Sequence, residues 1–149
     1  MDESLTPPFP GTAAALVVDD VGVARRVAFR LLSEAGYRVF EAADAIEALE
    51  VLEQARGRID LILVDVVLGE VTGVDLVKLI RARWEIPAIV YMSAYPAEIL
   101  VREGLEDPKV VFLAKPFTRD ELLAAIGRAL GTSFRRDREG DRARHSEDP

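Results

Sequence analysis

Five short apolar runs, separated by longer amphipathic stretches, set the pattern of this chain. The runs are Ala13–Asp19, Arg38–Glu41, Ile59–Val64, Ala88–Met92 and Val110–Ala114. Most are apolar at successive rather than alternate positions, the mark of parallel strands covered on both faces. The second run is the least apolar and is assigned to a sheet edge. The stretches between the runs carry the three-to-four spacing of helices with one apolar stripe. In the first, Ala24, Val27, Ala28, Leu31, Leu32 and Ala35 share a face, and Gly36 supplies the stop. The second starts at Asp44, with Glu47 placed as in a capping box, and points Ile46, Leu49 and Leu52 inward. The third starts near Thr72 and buries Val74, Val77, Ile80 and Trp84. A short fourth covers about Pro96–Glu103, with Pro96 at the first helical position. The fifth opens with the capping box Thr118-x-x-Glu121 and buries Leu122, Ile126 and Leu130.

Strands alternating with helices give an α/β fold around a parallel sheet with right-handed crossovers. Residues 13–131 form one domain, large enough to bury a core. Residues 1–12 are expected to be a disordered lead, since Pro7, Pro8, Pro10 and Gly11 break regular structure. Residues 132–149 are expected to be a polar, disordered tail, with Phe134 its one large apolar side chain.

Composition removes several function classes. The 149 residues include no cysteine, which excludes disulfides, thiolate metal sites and a thiol nucleophile. The one histidine, His145, lies in the polar tail, away from any candidate chemistry. The net charge of −7 resides in residues 1–131, because 132–149 carry five basic and five acidic residues. An acidic domain argues against direct nucleic-acid binding. The tail arginines Arg135, Arg136, Arg138, Arg142 and Arg144 are interleaved with acids and read as a solvated segment. No apolar run approaches the ~20 residues that span a bilayer, and the lead is not a signal peptide. The cytoplasm is the expected location, with no membrane contact.

Four strand ends carry the candidate chemistry. Asp19 and Asp20 end the first strand, Asp65 the third, Ser93 the fourth and Lys115 the fifth. Open α/β sheets bind ligands at the carboxyl ends of their strands. Crowded carboxylates need a countercharge, and Mg2+ suits them because it takes one or two carboxylates and keeps several waters. A carboxylate is also a nucleophile toward phosphorus. Phosphoryl transfer asks mainly for alignment and charge neutralisation, which Mg2+, the Lys115 ammonium and the Ser93 hydroxyl supply.

With these residues in this order, the chain resembles the receiver domain of bacterial two-component response regulators. The resemblance covers roughly residues 14–130. It rests on Asp19-Asp20 in LVVDD, Asp65 in LILVDVVL, Ser93-Ala94 in YMSAY, Lys115-Pro116-Phe117 in FLAKPF, and Gly73 eight residues after Asp65. It implies a flavodoxin-like three-layer sandwich with strand order 2-1-3-4-5. It implies Asp65 as phosphoacceptor. Asp20, Asp65 and the backbone carbonyl of Val67 would be Mg2+ ligands, with Asp19 acting through water. It implies a cis Lys115–Pro116 bond. Gly69 stands where the family usually has proline, so a looser loop is expected after Asp65.

The resemblance also implies a switch. Phosphorylation would draw in Ser93 and Lys115, and the strand-five aromatic Phe112 would turn inward. That would alter the face formed by helix four, strand five and helix five, a possible homodimer surface. Val67 and Tyr95 follow the acceptor and the switch serine by two residues, where the family's hydrolytic water passes. Neither side chain orients water, so slow autodephosphorylation is expected.

The implied partners are a histidine kinase or histidine phosphotransfer protein and a downstream protein. The chain is then not an enzyme on external substrates. The starting Met1 and the divergent tail favour a free-standing receiver. The alternatives are a receiver cut from a hybrid histidine kinase and a degenerate receiver acting as a scaffold. A haloacid-dehalogenase-type phosphatase would place its nucleophile on strand one, in an Asp-x-Asp pattern. A flavodoxin-type carrier would have a Ser/Thr/Gly-rich phosphate loop where this chain has two acids.

Overall fold

The computed structural model describes residues 13–105, 107 and 109–131. The lead and tail expected at 1–12 and 132–149 lie outside the described residues. The strands are β1 (Ala14–Val18), β2 (Arg38–Ala42), β3 (Leu61–Asp65), β4 (Ala88–Ser93) and β5 (Val111–Ala114). Between them run α1 (Gly22–Glu34), α2 (Ala45–Gln54), α3 (Gly73–Arg81) and α4 (Pro96–Arg102). A last helix, α5, occupies 119–131 of the described chain. All strand pairs are parallel, in the order β2-β1-β3-β4-β5. The weakly apolar second run is an edge strand, as its composition implied.

Why the runs are apolar throughout follows from what covers the sheet. Successive side chains of a strand point to opposite faces. Leu16, Val18, Ile62, Val64 and Ile89 enter one core with Ala48 and Leu52 of α2, Val77 and Ile80 of α3, and Ile99 of α4. Ala15, Val17, Leu61, Leu63, Val90 and Met92 enter the other, with Ala28 and Leu32 of α1 and Leu122, Ala125 and Ile126 of α5. The layers are therefore α1 and α5, the sheet, then α2, α3 and α4.

The helix starts follow local chemistry. Thr118 and Glu121 form the expected reciprocal box, each backbone N–H donating to the other side chain. Asp44 accepts from the Glu47 N–H at 2.8 Å, and the Glu47 carboxylate accepts from Ala43 rather than from the cap itself. Thr72 caps α3 through the Asp75 N–H.

Three expected core residues lie outside the core. Ile46 is 69% exposed, Val27 48% and Leu130 38%. The buried stripe is narrower than the apolar one. On α2 it is centred on Ala48 and Leu52, and Ile46 stands two residues, about 200°, away from Ala48. Val27 and Leu130 each sit one residue off the line of Ala28–Leu32 and Ile126–Ala129. Trp84 is half-buried at the end of α3, against the first core.

This packing separates two substitutions that look alike in sequence. Leu52→Ala is expected to cost about 2–5 kcal/mol of unfolding free energy, whereas Ile46→Ala should stay within about 0.5 kcal/mol of wild type. Urea denaturation measures both, and equal losses would contradict the assignment of the α2 face.

Candidate functional site

The site is built from strand ends, and the alternation of the strands decides which side chains meet. Leu61 and Leu63 face the α1/α5 core, so Asp65 continues toward that side; Val111 and Leu113 do the same for Lys115, and Ala15 and Val17 for Asp19. These three side chains converge. The Lys115 ammonium donates to Asp19 Oδ2 at 2.6 Å and to Asp65 Oδ2 at 2.5 Å. Asp19 is fully buried, Asp65 is 7% exposed, and the Lys115 side chain is 15% exposed.

Ser93 has the other parity. It follows Ile89 and Tyr91, which face the α2/α3/α4 core. In the strand register Ser93 pairs with Ala114 and Tyr91 with Phe112. Ser93 and Phe112 are thus diagonal neighbours on one face of the sheet. Phe112 is partly buried against that same core.

One local turn recurs at three of these ends. The Val21 N–H donates to Asp19 Oδ1 at 2.9 Å. The Val67 N–H donates to Asp65 Oδ1 at 2.8 Å, and the Tyr95 N–H to Ser93 Oγ at 3.0 Å. Each is a side chain accepting from the backbone two residues on, a turn that Asp and Ser favour. The turn ends the strand and fixes the side chain's rotamer together. It leaves the second oxygen of each aspartate, and the hydroxyl proton of Ser93, for other work.

The loop after Asp65 is pinned despite Gly69. Val67 and Thr72 form an antiparallel bridge, and the Gly73 N–H donates to the Val66 carbonyl at 2.7 Å. A Cβ on Gly73 would lie 2.3 Å from the Asp65 carbonyl oxygen. Glycine is required there because α3 starts against the backbone of Asp65. The Lys115–Pro116 bond is cis.

Burial and the shared ion pairs together set the electrostatics. Desolvation raises the Asp65 pKa above the ordinary carboxylate value, although the hydrogen bonds from Lys115 and Val67 oppose it. For Lys115, burial works against the charged form, but the hydrogen bonds and charges of Asp19 and Asp65 outweigh it and raise the pKa. Two carboxylates thus share one ammonium, and the cluster retains an excess negative charge.

That excess makes the site suited to a divalent cation. Asp19 and Asp65 already direct oxygens at one cationic nitrogen, and all candidate donors are hard oxygens of the kind Mg2+ takes. Among the described residues no three acidic side chains form a ready-made metal cage. Asp20 is exposed at a bend directly after Asp19, and Val67 and Tyr95 are 46% and 67% exposed.

Sequence reasoning missed Arg25. Its Nη1 donates to the Asp19 carbonyl at 2.7 Å and its Nε to Glu41 at 3.3 Å. The signal was a basic residue one turn into α1 and an acid near the end of the edge strand, neither distinguishable from surface charge.

Known proteins match both sequence and fold. The model of the response regulator receiver domain matches residues 15–127. The sensor kinase CckA of Brucella abortus is 33% identical over 120 residues, covering 80% of this chain and 13% of that protein. Sporulation initiation phosphotransferase F of Bacillus subtilis is 29% identical over 115 residues, covering 77% of this chain and 91% of that one. The solved structure of chemotaxis protein CheY4 of Vibrio cholerae has a TM-score of 0.68 at 32% identity, covering 80% of this chain and 100% of that chain. The chain therefore spans a small part of one relative and nearly all of the other two.

Removing the shared ammonium leaves two buried carboxylates facing each other. Lys115→Met is expected to destabilise by about 3 kcal/mol, and adding Asp19→Asn should recover part of the loss. The raised Lys115 pKa also fixes a pH window. The ammonium's contribution is complete below about pH 10 and is lost as pH rises through the higher folded-state value. The stability gap between wild type and Lys115→Met, read by urea denaturation, should therefore be flat at neutral pH and narrow in strong alkali. A gap that is absent at pH 7 would contradict the assignment.

Proposed function

Since the chain belongs to the response regulator receiver family of two-component signalling, we propose that it is switched by phosphorylation of Asp65. The observation that carries this is the convergence of Asp19, Asp65 and Lys115 at the strand ends. The donor is a phosphohistidine on a kinase or phosphotransfer protein. An Asp65 carboxylate oxygen attacks phosphorus and an O–P bond forms as the N–P bond breaks; the electron pair stays on the donor's ring nitrogen, and the imidazole leaves neutral because its other nitrogen already carries a proton. Asp20, Asp65 and the Val67 carbonyl would hold Mg2+, with Asp19 supporting through water. The bound ion supplies charge neutralisation for the transferred group. Lys115 exchanges a carboxylate oxygen for a phosphoryl oxygen, which keeps its charge compensated throughout. Ser93 donates its hydroxyl proton to another phosphoryl oxygen.

The parity of the strands supports a route for the signal. Ser93 lies diagonal to Phe112 across the β4–β5 register. Movement of Ser93 toward the phosphoryl group frees space on the face where Phe112 packs, and Phe112 shifts inward. The α4–β5–α5 face then changes shape for a downstream partner or a second copy. The reading is that of a signalling module in the cytoplasm, acting on no external substrate.

The surroundings of Lys115 favour a protein donor. An apolar hollow of about 270 Å³ is lined by Ala24, Val27, Ala94, Lys115, Pro116 and Phe117. Val23 beside it is 78% exposed. A donor delivering phosphate to Asp65 must cover this rim, and its apolar contacts would desolvate the site.

Acetyl phosphate and a phosphohistidine donor separate the parts of this reading. With Mg2+, both should add one phosphoryl group, seen by intact mass, and Asp65→Asn should take none. Val27→Asp should slow transfer from the phosphohistidine protein tenfold or more while leaving acetyl phosphate labelling near wild type. Failure of wild type to label with either donor would sink the proposal, and equal slowing with both would sink the docking rim.

The lifetime of the phosphorylated form follows from Val67 and Tyr95, neither of which offers a group to orient water. Loss of phosphate from the isolated protein with Mg2+ should be slow, and Val67→Asn should speed it. Decay of wild type within seconds would contradict the assignment.

A further inference from the structure

All four polar atoms of Asp19 are engaged. Its N–H donates to the Ala42 carbonyl at 3.1 Å, Oδ1 accepts from Val21 at 2.9 Å, and Oδ2 accepts from Lys115 at 2.6 Å. Its carbonyl accepts from Arg25 Nη1 at 2.7 Å. The first three contacts hold the residue itself. The fourth does something different, because the Asp19 carbonyl and the Asp20 N–H belong to one rigid peptide plane. Whatever fixes that carbonyl fixes the direction in which the chain enters Asp20. Asp20 is an exposed residue at a bend, between the end of β1 at Val18 and the start of α1 at Gly22.

Arg25 is itself held. Its Nε donates to Glu41 Oε1, and the side chains of Arg25 and Glu41 are only 21% and 23% exposed. Arg26 pairs with the second Glu41 oxygen at 2.8 Å. Glu41 lies on edge strand β2, whose register with β1 pairs it with Val17. The guanidinium thus braces the acidic turn from α1 against β2, and a neighbouring carboxylate compensates its charge.

We propose that Arg25 is a positioning residue for the divalent-cation site, setting the orientation of Asp20 through the Asp19 carbonyl. This rests on the metal-dependent reading given above. A sign distinguishes positioning from simple charge. Arg25 is a cation close to a cation site, so on Coulomb grounds its removal tightens Mg2+ binding. Positioning requires the reverse, since groups that orient metal ligands typically cost 10–100-fold in affinity when lost.

The test is thermal unfolding of the full chain over a range of Mg2+ concentrations, which yields both the midpoint without metal and the apparent Kd. Arg25→Gln should weaken Mg2+ binding about tenfold. Arg25→Lys keeps one donor and should fall between the two, which covers the case in which the glutamine variant does not fold. Ile126→Val, in the core far along α5, should lower the midpoint without changing the Mg2+ response. Binding by Arg25→Gln as tight as wild type or tighter overturns the proposal, as does an equal loss of affinity in Ile126→Val. A wild-type midpoint that ignores Mg2+ fails the metal reading itself, and is thereby distinguished from a failure of Arg25 alone.

Discussion

The ammonium of Lys115, shared by the carboxylates of Asp19 and Asp65, is the contact on which the site depends. Both acids lie at the ends of strands covered on both faces, so water cannot screen their repulsion fully. Burying carboxylates at that depth is costly without a countercharge. The fifth strand supplies it, at the same level and with the same parity as the two acids. The result is a cluster that is compensated but not neutral. That residual negative charge is the feature on which the proposed binding of a divalent cation, and with it a phosphoryl group, rests.

The remainder of the structure holds that contact in place. Two cores, one on each face of the sheet, lock the strands in register, and the register decides which strand ends are level. The turns at Asp19, Asp65 and Ser93 each use a side-chain oxygen to stop a strand, so the residue that ends the element is already oriented for chemistry. Gly73 brings α3 down onto the backbone of Asp65, and Arg25 braces the turn at Asp19 from the other side. The acidic cluster is thereby held in one geometry before any ligand is bound, which is the condition for electrostatic stabilisation to be effective.

Much of this was legible in the sequence, for reasons that can be named. Continuous apolar runs imply a doubly covered sheet, and a doubly covered parallel sheet puts its ligands at the strands' carboxyl ends. That reasoning singled out Asp19, Asp65 and Lys115, which meet in the structure, and identified β2 as an edge. It did not reveal which strand-end residues touch. That depends on parity, and one residue of offset sends Ser93 to the opposite face from Asp65. Side-chain roles at helix margins were also hidden. Ile46, Val27 and Leu130 fit an apolar stripe, but small residues such as Ala48 and Ala28 occupy the closest approach to the sheet. Arg25 was invisible because its partner is a backbone carbonyl, which leaves no trace in residue type. Asp19 and Asp65 also each make the turn that ends a strand, which the residue type alone does not separate from any other use.

The account stands most directly on where the phosphoryl group goes. Labelling the chain with acetyl phosphate and Mg2+, reducing the acyl phosphate with borohydride and mapping the peptides locates the modified carboxyl group. The expected result is reduction to homoserine at position 65 alone, dependent on Mg2+. Reduction at position 19 or 20, at several acids, or equally without Mg2+ would contradict the account.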